Sequence, residues 1–118
     1  MRKTQSLGFF LTLLWLLTGT AQDDPFVGFF SGELDDSRYE VTIDRVNATT
    51  YDGLLLIDDD RMQLDARRYG ERVGGLLRSY SAELRFRAQL QGSALIMEIE
   101  DGRRIVLWRS SPPVESDL

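Results

Sequence analysis

Apolar residues at every second position are the feature that most constrains the fold of this chain. From residue 26 onward they recur in short runs bounded by Gly, Asp, Asn and Ser, and apolar spacings of three and four are almost absent. A period of two places alternate side chains on opposite faces of an extended strand, so the pattern predicts an all-β domain. Eight strands are expected, at residues 26–32, 38–46, 50–57, 61–68, 71–78, 82–90, 94–100 and 103–110.

The strand pattern also repeats at a fixed interval. The apolar alternation of residues 51–57 recurs 22 residues later at 73–77 and 22 residues later again at 95–99. The strands between these segments follow the same interval, which indicates hairpin units of about 22 residues. Eight antiparallel strands with one apolar face leave two unpaired edges unless the sheet closes. The sequence therefore predicts a small antiparallel up-and-down barrel.

Turn residues predict how neighbouring strands pair. A two-residue turn at Gln91-Gly92 pairs Ala88 with Leu95, and the same rule at positions 69 and 70 pairs Ala66 with Val73. A turn at positions 101 and 102 places Trp108 on the inner face, unless a bulge there exchanges the two faces. The side chains expected inside the barrel are Phe26, Phe30, Tyr39, Tyr51, Phe86, Met97 and, with this register, Trp108. Gly28, Gly53 and Gly75 are also expected at inward positions, where a missing side chain permits tight coiling.

These repeats resemble those of the calycin-like small barrels, of which lipocalin and avidin are familiar members, and of compact repeat-built barrels of bacterial secreted proteins. The resemblance covers about residues 26–109 and lies in the aromatic-x-Gly and Leu-x-Phe-x-Ala strand patterns. It implies an eight-stranded meander and transfers no catalytic residue. Lipocalins carry Gly-x-Trp near the first strand, whereas here Gly28 is followed by two phenylalanines. The resemblance therefore implies the barrel and not a lipocalin ligand.

The first 21 residues have the features of a secretory signal peptide. Arg2 and Lys3 precede an uncharged apolar run at residues 7–18, and small residues follow at 19–21. The run of 12 residues is shorter than the roughly 20 that span a bilayer, and no cysteine follows for lipid attachment. We expect a signal helix cleaved after Ala21, no stable membrane anchor afterwards, and a periplasmic or secreted product. The expected organisation is signal peptide 1–21, barrel domain 22–110 and disordered tail 111–118.

Composition excludes several kinds of function. The chain has no histidine and no cysteine, and Lys3 is its only lysine. A Ser/His/Asp triad, a thiolate nucleophile and a Schiff-base lysine are therefore excluded from the cleaved protein. After cleavage, the chain has 12 arginines and 19 Asp and Glu residues. The resulting net charge of −7 makes nucleic acid an unsuitable partner. Arginine in place of lysine is consistent with a GC-rich bacterial genome.

The residues that remain favour a non-enzymatic binding module, such as an accessory, inhibitor or immunity-type protein, whose partner is another envelope or extracellular protein. The candidate binding residues are charged loop residues and two possible exposed aromatic anchors, namely Phe29, Asp35, Asp36, Arg38, Asp58, Asp59, Asp60, Arg61 and Trp108. Structural interpretations compete with this one, because Asp runs commonly form turns and Trp108 would fit the core. The run Asp58–Asp60 lacks EF-hand spacing, so neither a metal nor a cofactor is predicted.

Two other functions remain open. A barrel of eight strands is just wide enough to carry one small hydrophobic ligand or to be filled by its own side chains. A carboxylate-based hydrolase would need two converging acids, whereas the predicted register places the strand carboxylates on the outer face. The carrier is the stronger of these two alternatives.

Overall fold

The computed structural model describes residues 24–111 and shows a closed antiparallel barrel of eight strands. Each strand pairs with the next along the chain, and the last closes on the first, so the predicted all-β up-and-down barrel is confirmed. The strands are β1 Gly28–Leu34, β2 Ser37–Arg45, β3 Thr50–Ile57, β4 Asp60–Tyr69, β5 Arg72–Arg78, β6 Glu83–Gln91, β7 Ala94–Ile99 and β8 Arg104–Ser110. The predicted signal peptide, and the predicted tail beyond residue 111, lie outside the described residues. Within residues 24–111, no helix has the length and apolar character needed to cross a membrane.

Alternation along each strand builds the core. In β2, Tyr39, Val41 and Ile43 are buried, and the residues between them are more exposed. The side chains with less than 2% exposure include Phe26, Phe30, Tyr51, Leu55, Leu64, Leu77, Leu95, Met97, Ile105 and Leu107. Six of the large side chains expected inside the barrel are buried, namely Phe26, Phe30, Tyr39, Tyr51, Phe86 and Met97. The barrel is thus filled by its own side chains.

Two hairpins pair two positions away from the predicted register. Leu90 pairs with Leu95, and Ala66 pairs with Gly75. The predicted partners were wrong because Gly92 and Gly70 are the first residues of their two-residue loops and not the second, with φ angles of 63° and 65°. A shift of two positions keeps every side chain on its predicted face, since the strand period is two.

The register of β8 differs by an odd step, which exchanges its faces. Leu95 pairs with Leu107, and Ile105 and Leu107 are fully buried, whereas Trp108 is 55% exposed. The prediction that Trp108 lies inside the barrel was therefore wrong. The cause is the connection between β7 and β8, which has four residues, 100–103, in place of the expected two-residue turn. The structure therefore has the alternative register, in which Ile105 and Leu107 point inward and Val106 and Trp108 point outward.

Two inward glycines allow neighbouring strands to approach closely. A Cβ at Gly53 would collide with the main-chain carbonyl oxygen of Thr42 on β2, and one at Gly75 with that of Asp65 on β4. Both lie at the inward positions that the sequence predicts, and both permit the strong bending of a narrow barrel.

The two ends of the barrel are built differently. The end formed by the connections 35–36, 58–59, 79–82 and 100–103 is called the acidic end below, because these loops and their flanks carry most of the loop carboxylates. The opposite end, where residues 24–27 enter the barrel, is called the plugged end. There Phe26 is 1% exposed and lies 6.0 Å from the ring of Tyr51, centroid to centroid. Phe26 therefore closes this end with an apolar side chain.

Polar contacts hold the plug in place. The side chain of Asp24 is 7% exposed, and its carboxylate accepts hydrogen bonds from the Tyr51 hydroxyl at 2.8 Å and from the Phe26 amide at 3.0 Å. The guanidinium groups of Arg45 and Arg68 lie 3.8 and 3.9 Å from the same carboxylate. Arg109 adds hydrogen bonds to the carbonyl oxygens of residues 25 and 27. Residues distant in the sequence thus converge on the plug.

Candidate binding surfaces

Seven of the predicted binding residues lie at the acidic end, and all seven are exposed. They are Asp35, Asp36, Arg38, Asp58, Asp59, Asp60 and Arg61. Asp35, Asp36 and Asp58 adopt positive φ angles of 54°, 68° and 55°, a conformation that Asp tolerates better than most residues. These aspartates are therefore turn formers, as the competing structural interpretation expected, and the turns hold their side chains in solvent.

Asp58 links two neighbouring hairpins. Its carboxylate accepts a hydrogen bond of 2.9 Å from the Arg38 amide, and its own amide donates to the Arg38 carbonyl oxygen at 2.9 Å. The hydrogen bond from the Arg38 backbone, with a smaller one from Ser37, lowers the pKa of Asp58 below its ordinary value. Asp58 consequently stays ionised and fixes the position of the β3–β4 turn against β2.

Arg103 lies across the mouth of the barrel at the same end. It donates two hydrogen bonds to one carboxylate oxygen of Asp101, at 2.9 and 2.7 Å, and one to the Tyr39 hydroxyl at 2.9 Å. Its guanidinium lies 5.9 Å from the centre of the Tyr39 ring. The hydrogen bonds from Arg103 lower the pKa of Asp101, and the partner carboxylate raises the pKa of Arg103. This arrangement holds a positive charge over the filled interior.

A groove of about 440 Å³ lies beside Arg103. Ile57, Met62 and Leu84 give it an apolar floor, and Asp60, Arg61 and the loop 79–82 form its walls. Tyr80, in that loop, is fully exposed. An apolar floor with charged walls suits a side chain that has an apolar stem and a polar tip.

Tyr80 and Arg103 were not among the predicted binding residues. Tyr80 stands between two serines in a segment without strand alternation, and this pattern could have marked it as an exposed loop aromatic. The position of Arg103 could not have been found in this way. Its contact with Tyr39 joins residues 64 positions apart, and only the closed barrel brings them together.

The other two predicted residues, Phe29 and Trp108, lie together on the outer wall. Ser31 pairs with Trp108 and Phe29 with Ser110, so the two aromatic residues are diagonal neighbours across the β1–β8 seam. Trp108 pairs on its other side with Ala94, and Val106 pairs with Ile96. These five outward residues, Phe29, Ala94, Ile96, Val106 and Trp108, are called the aromatic patch below. The predicted site is therefore divided between the acidic end and this patch.

Metal binding gains no support from the acidic residues that are described. Within residues 24–111, no group of three or more carboxylates lies close enough to hold a metal ion. The aspartates at positions 58–60 project from successive positions of a turn and a strand start and do not converge.

Comparison with known proteins adds no relative. No family model matches this chain, and neither the curated proteins nor the solved structures contain a match to it.

Proposed function

We propose that this chain is an exported, non-enzymatic interaction module whose acidic end binds a basic surface on another envelope or extracellular protein. The observation that carries the proposal is the groove beside Arg103, which combines an apolar floor, walls that contain both Asp60 and Arg61, and the fully exposed Tyr80. The exposed aspartates of the neighbouring turns lie at the same end of the barrel. The calycin-like architecture and the periplasmic or secreted location, with the leader cleaved after Ala21, belong to the same proposal. Strand number and meander order support the first, and the leader sequence supports the second.

Charge at the acidic end favours a basic partner. Asp35, Asp36, Asp59 and Asp60 are all exposed, and their turns hold them at one end of the barrel. Clustered charge of one sign steers a complementary protein toward its site and disfavours partners of the same sign. Tyr80 supplies an aromatic side chain of the kind that anchors many protein interfaces. A partner side chain with an apolar stem and a polar tip would fit the groove, with its stem on the apolar floor and its tip among Asp60, Arg61 and Arg103.

The lowered pKa values of Asp58 and Asp101 suit recognition by charge. A carboxylate-based hydrolase needs one acid with a raised pKa to protonate a leaving group near neutral pH. The carboxylates with clear shifts, Asp58 and Asp101, have lowered pKa values because each accepts hydrogen bonds in its turn. They are held as anions, which suits electrostatic recognition.

The filled interior supports surface binding over ligand carriage. A carrier needs an open lumen, whereas Phe30, Tyr51, Leu64 and Met97 occupy the inside of this barrel with at most 1% exposure. Phe26 closes one end and Arg103 crosses the other. A hydrophobic ligand would have to displace several of these groups, which makes carriage the weaker alternative.

Affinity capture from the protein's own cell envelope tests the proposal. The tagged protein, Tyr80→Ser and Asp59→Arg/Asp60→Arg are compared with Tyr69→Ser, which alters a 64% exposed tyrosine at the opposite end. We expect one specific protein with the parent and Tyr69→Ser, and about tenfold less of it with the two acidic-end variants. Equal capture by all four proteins would overturn the proposal. Recovery of a small apolar molecule without a protein would favour the carrier.

A further inference from the structure

A second surface on the outer wall has a different chemistry from the acidic end. We propose that the aromatic patch is the interface between two copies of this chain. This inference goes beyond the proposed function, because it concerns a separate surface and does not depend on the partner bound at the acidic end.

The outer wall around β8 is apolar at several adjacent positions. Trp108 is 55% exposed, and Phe29 and Val106 are partly exposed beside it. Ala94 and Ile96 also face outward, yet only 4% and 7% of their surfaces are exposed. Side chains of the same chain therefore cover Ala94 and Ile96, and the exposed apolar surface of the patch comes from Trp108, Phe29 and Val106. An exposed tryptophan with partly exposed apolar neighbours is typical of an interface core.

Opposite charges flank the patch on its two sides. On the β6 side, Arg72, Arg87 and Arg104 line a groove with the single carboxylate of Glu98, an excess of two positive charges. On the β2 side, the outward charged residues of β1 and β2 are Glu33, Glu40 and Asp44 against Arg38, an excess of two negative charges. The patch thus separates a basic flank from an acidic flank.

This charge distribution is complementary to a second copy of itself. A two-fold axis running along the barrels exchanges left and right across the contact, so that each basic flank meets the partner's acidic flank. A two-fold axis running across the barrels would instead bring flanks of like charge together. The apolar centre supplies affinity, and the flanks select one of the two symmetric arrangements. A second copy therefore satisfies both features of the surface at once.

The selected symmetry has a consequence for the acidic ends. Two barrels related by an axis along their length direct the same end toward the same side. The dimer would present its two acidic ends together, so that a partner with two basic sites could contact both at once. The second contact would then form intramolecularly, which raises the effective affinity.

Sedimentation equilibrium tests the interface, with the protein produced from its own leader and purified after export. We expect a monomer–dimer equilibrium for the parent and a dissociation constant about tenfold higher or more for Trp108→Ser. Tyr80→Ser, which removes an exposed aromatic side chain at the acidic end, is the matched control and should leave the equilibrium unchanged. A parent protein that stays monomeric to about 1 mM would overturn the inference.

Charge reversal gives a second test that leaves the apolar centre intact. Glu33→Arg/Asp44→Arg reverses the acidic flank and keeps the Arg38–Glu40 pair, whereas Arg72→Glu/Arg104→Glu reverses the basic flank and keeps the Arg87–Glu98 hydrogen bond. Each reversal alone should weaken the dimer about tenfold, because like charges then face each other. All four changes together should restore it to within about threefold of the parent. Failure of the combined variant to recover would exclude the two-fold arrangement.

The outcome is separable from that of the capture experiment. A monomeric parent that still captures a basic protein through Tyr80 would overturn the dimer and keep the proposed function. Loss of capture in Trp108→Ser, with no dimer in the parent, would instead show that the patch binds a different protein.

Discussion

The two ends of the barrel are both closed by polar contacts, but they depend on different kinds of interaction. At the plugged end, the segment with the buried Phe26 and the 7% exposed Asp24 carboxylate is held by residues 21 to 84 positions away along the chain. At the acidic end, Arg103 also makes a distant contact, with Tyr39, but its partner Asp101 is only two positions away, and both side chains of this pair are about one-third exposed. The difference indicates that stability is concentrated at the plugged end. The acidic end is left free to present charge.

Truncation of the plug is expected to have the largest effect. Phe26→Ala removes a ring of 1% exposure that packs against Tyr51 and lies 5.3 Å from the Arg68 guanidinium. We expect a loss of about 3 kcal/mol in the free energy of unfolding, measured by urea denaturation. Tyr80→Ala, at the acidic end, should change it by less than about 0.5 kcal/mol. Equal effects of the two substitutions would contradict the contrast between the ends.

The hydroxyl groups of two tyrosines provide a closer comparison. Tyr51→Phe removes the donor to the shielded Asp24 carboxylate, and Tyr39→Phe removes an acceptor from Arg103, which keeps both bonds to Asp101. We expect about 1–2 kcal/mol of destabilisation for Tyr51→Phe and less than half of that for Tyr39→Phe. Thermal or urea unfolding of the two variants measures the difference, and the reverse order would show that Arg103 is the more important contact.

The pH dependence of stability is expected to be the smallest of these effects. Stability is lost at alkaline pH through a group at the plugged end and at acid pH through groups at the acidic end. Burial, and then the hydrogen bond to Asp24, raises the pKa of Tyr51, so the stability that its neutral form supports is present below pH about 10 and lost above it. The lowered pKa values of Asp58 and Asp101 support stability that is present above pH about 4 and lost in acid. Melting temperatures across both ranges should show the alkaline loss disappear in Tyr51→Phe and the acid loss shrink in Asp101→Asn. An unchanged alkaline loss in Tyr51→Phe would assign that loss to another group.

Most of the fold was accessible to sequence reasoning, because alternation and turn residues are local signals. They gave the eight strands, their meander order and the inward faces of β1 to β7. The hairpin pairings were displaced by two positions because the sequence around Gly70 and Gly92 does not say which loop position the glycine takes. The face of β8 could not be fixed, since Ile105 and Leu107 alternate with Val106 and Trp108, and both pairs are apolar.

The candidate surfaces were only partly predictable, because local sequence patterns do not show which distant residues meet. Exposure of the aspartates at positions 35, 36 and 58–60 follows from their turn chemistry, which the sequence carries. Their placement at the same end as Tyr80 follows from the meander order, whereas the contact of Arg103 with Tyr39 and the approach of Phe29 to Trp108 depend on closure between β1 and β8. Residues 29 and 108 lie at opposite ends of the domain sequence, and no local pattern relates them.

The sequence by itself determined an all-β chain with one apolar face, polar turns and no histidine or cysteine chemistry, and the secretory leader stays a prediction from it. Tertiary structure decided what covers each surface. Closure of the barrel brought Asp24 to Tyr51, Arg45 and Arg68, placed Arg103 over Tyr39, and turned Trp108 outward beside Phe29. The physical reason is range: alternation and turn preference act between neighbours along the chain, whereas these contacts join residues that only the closed sheet brings together.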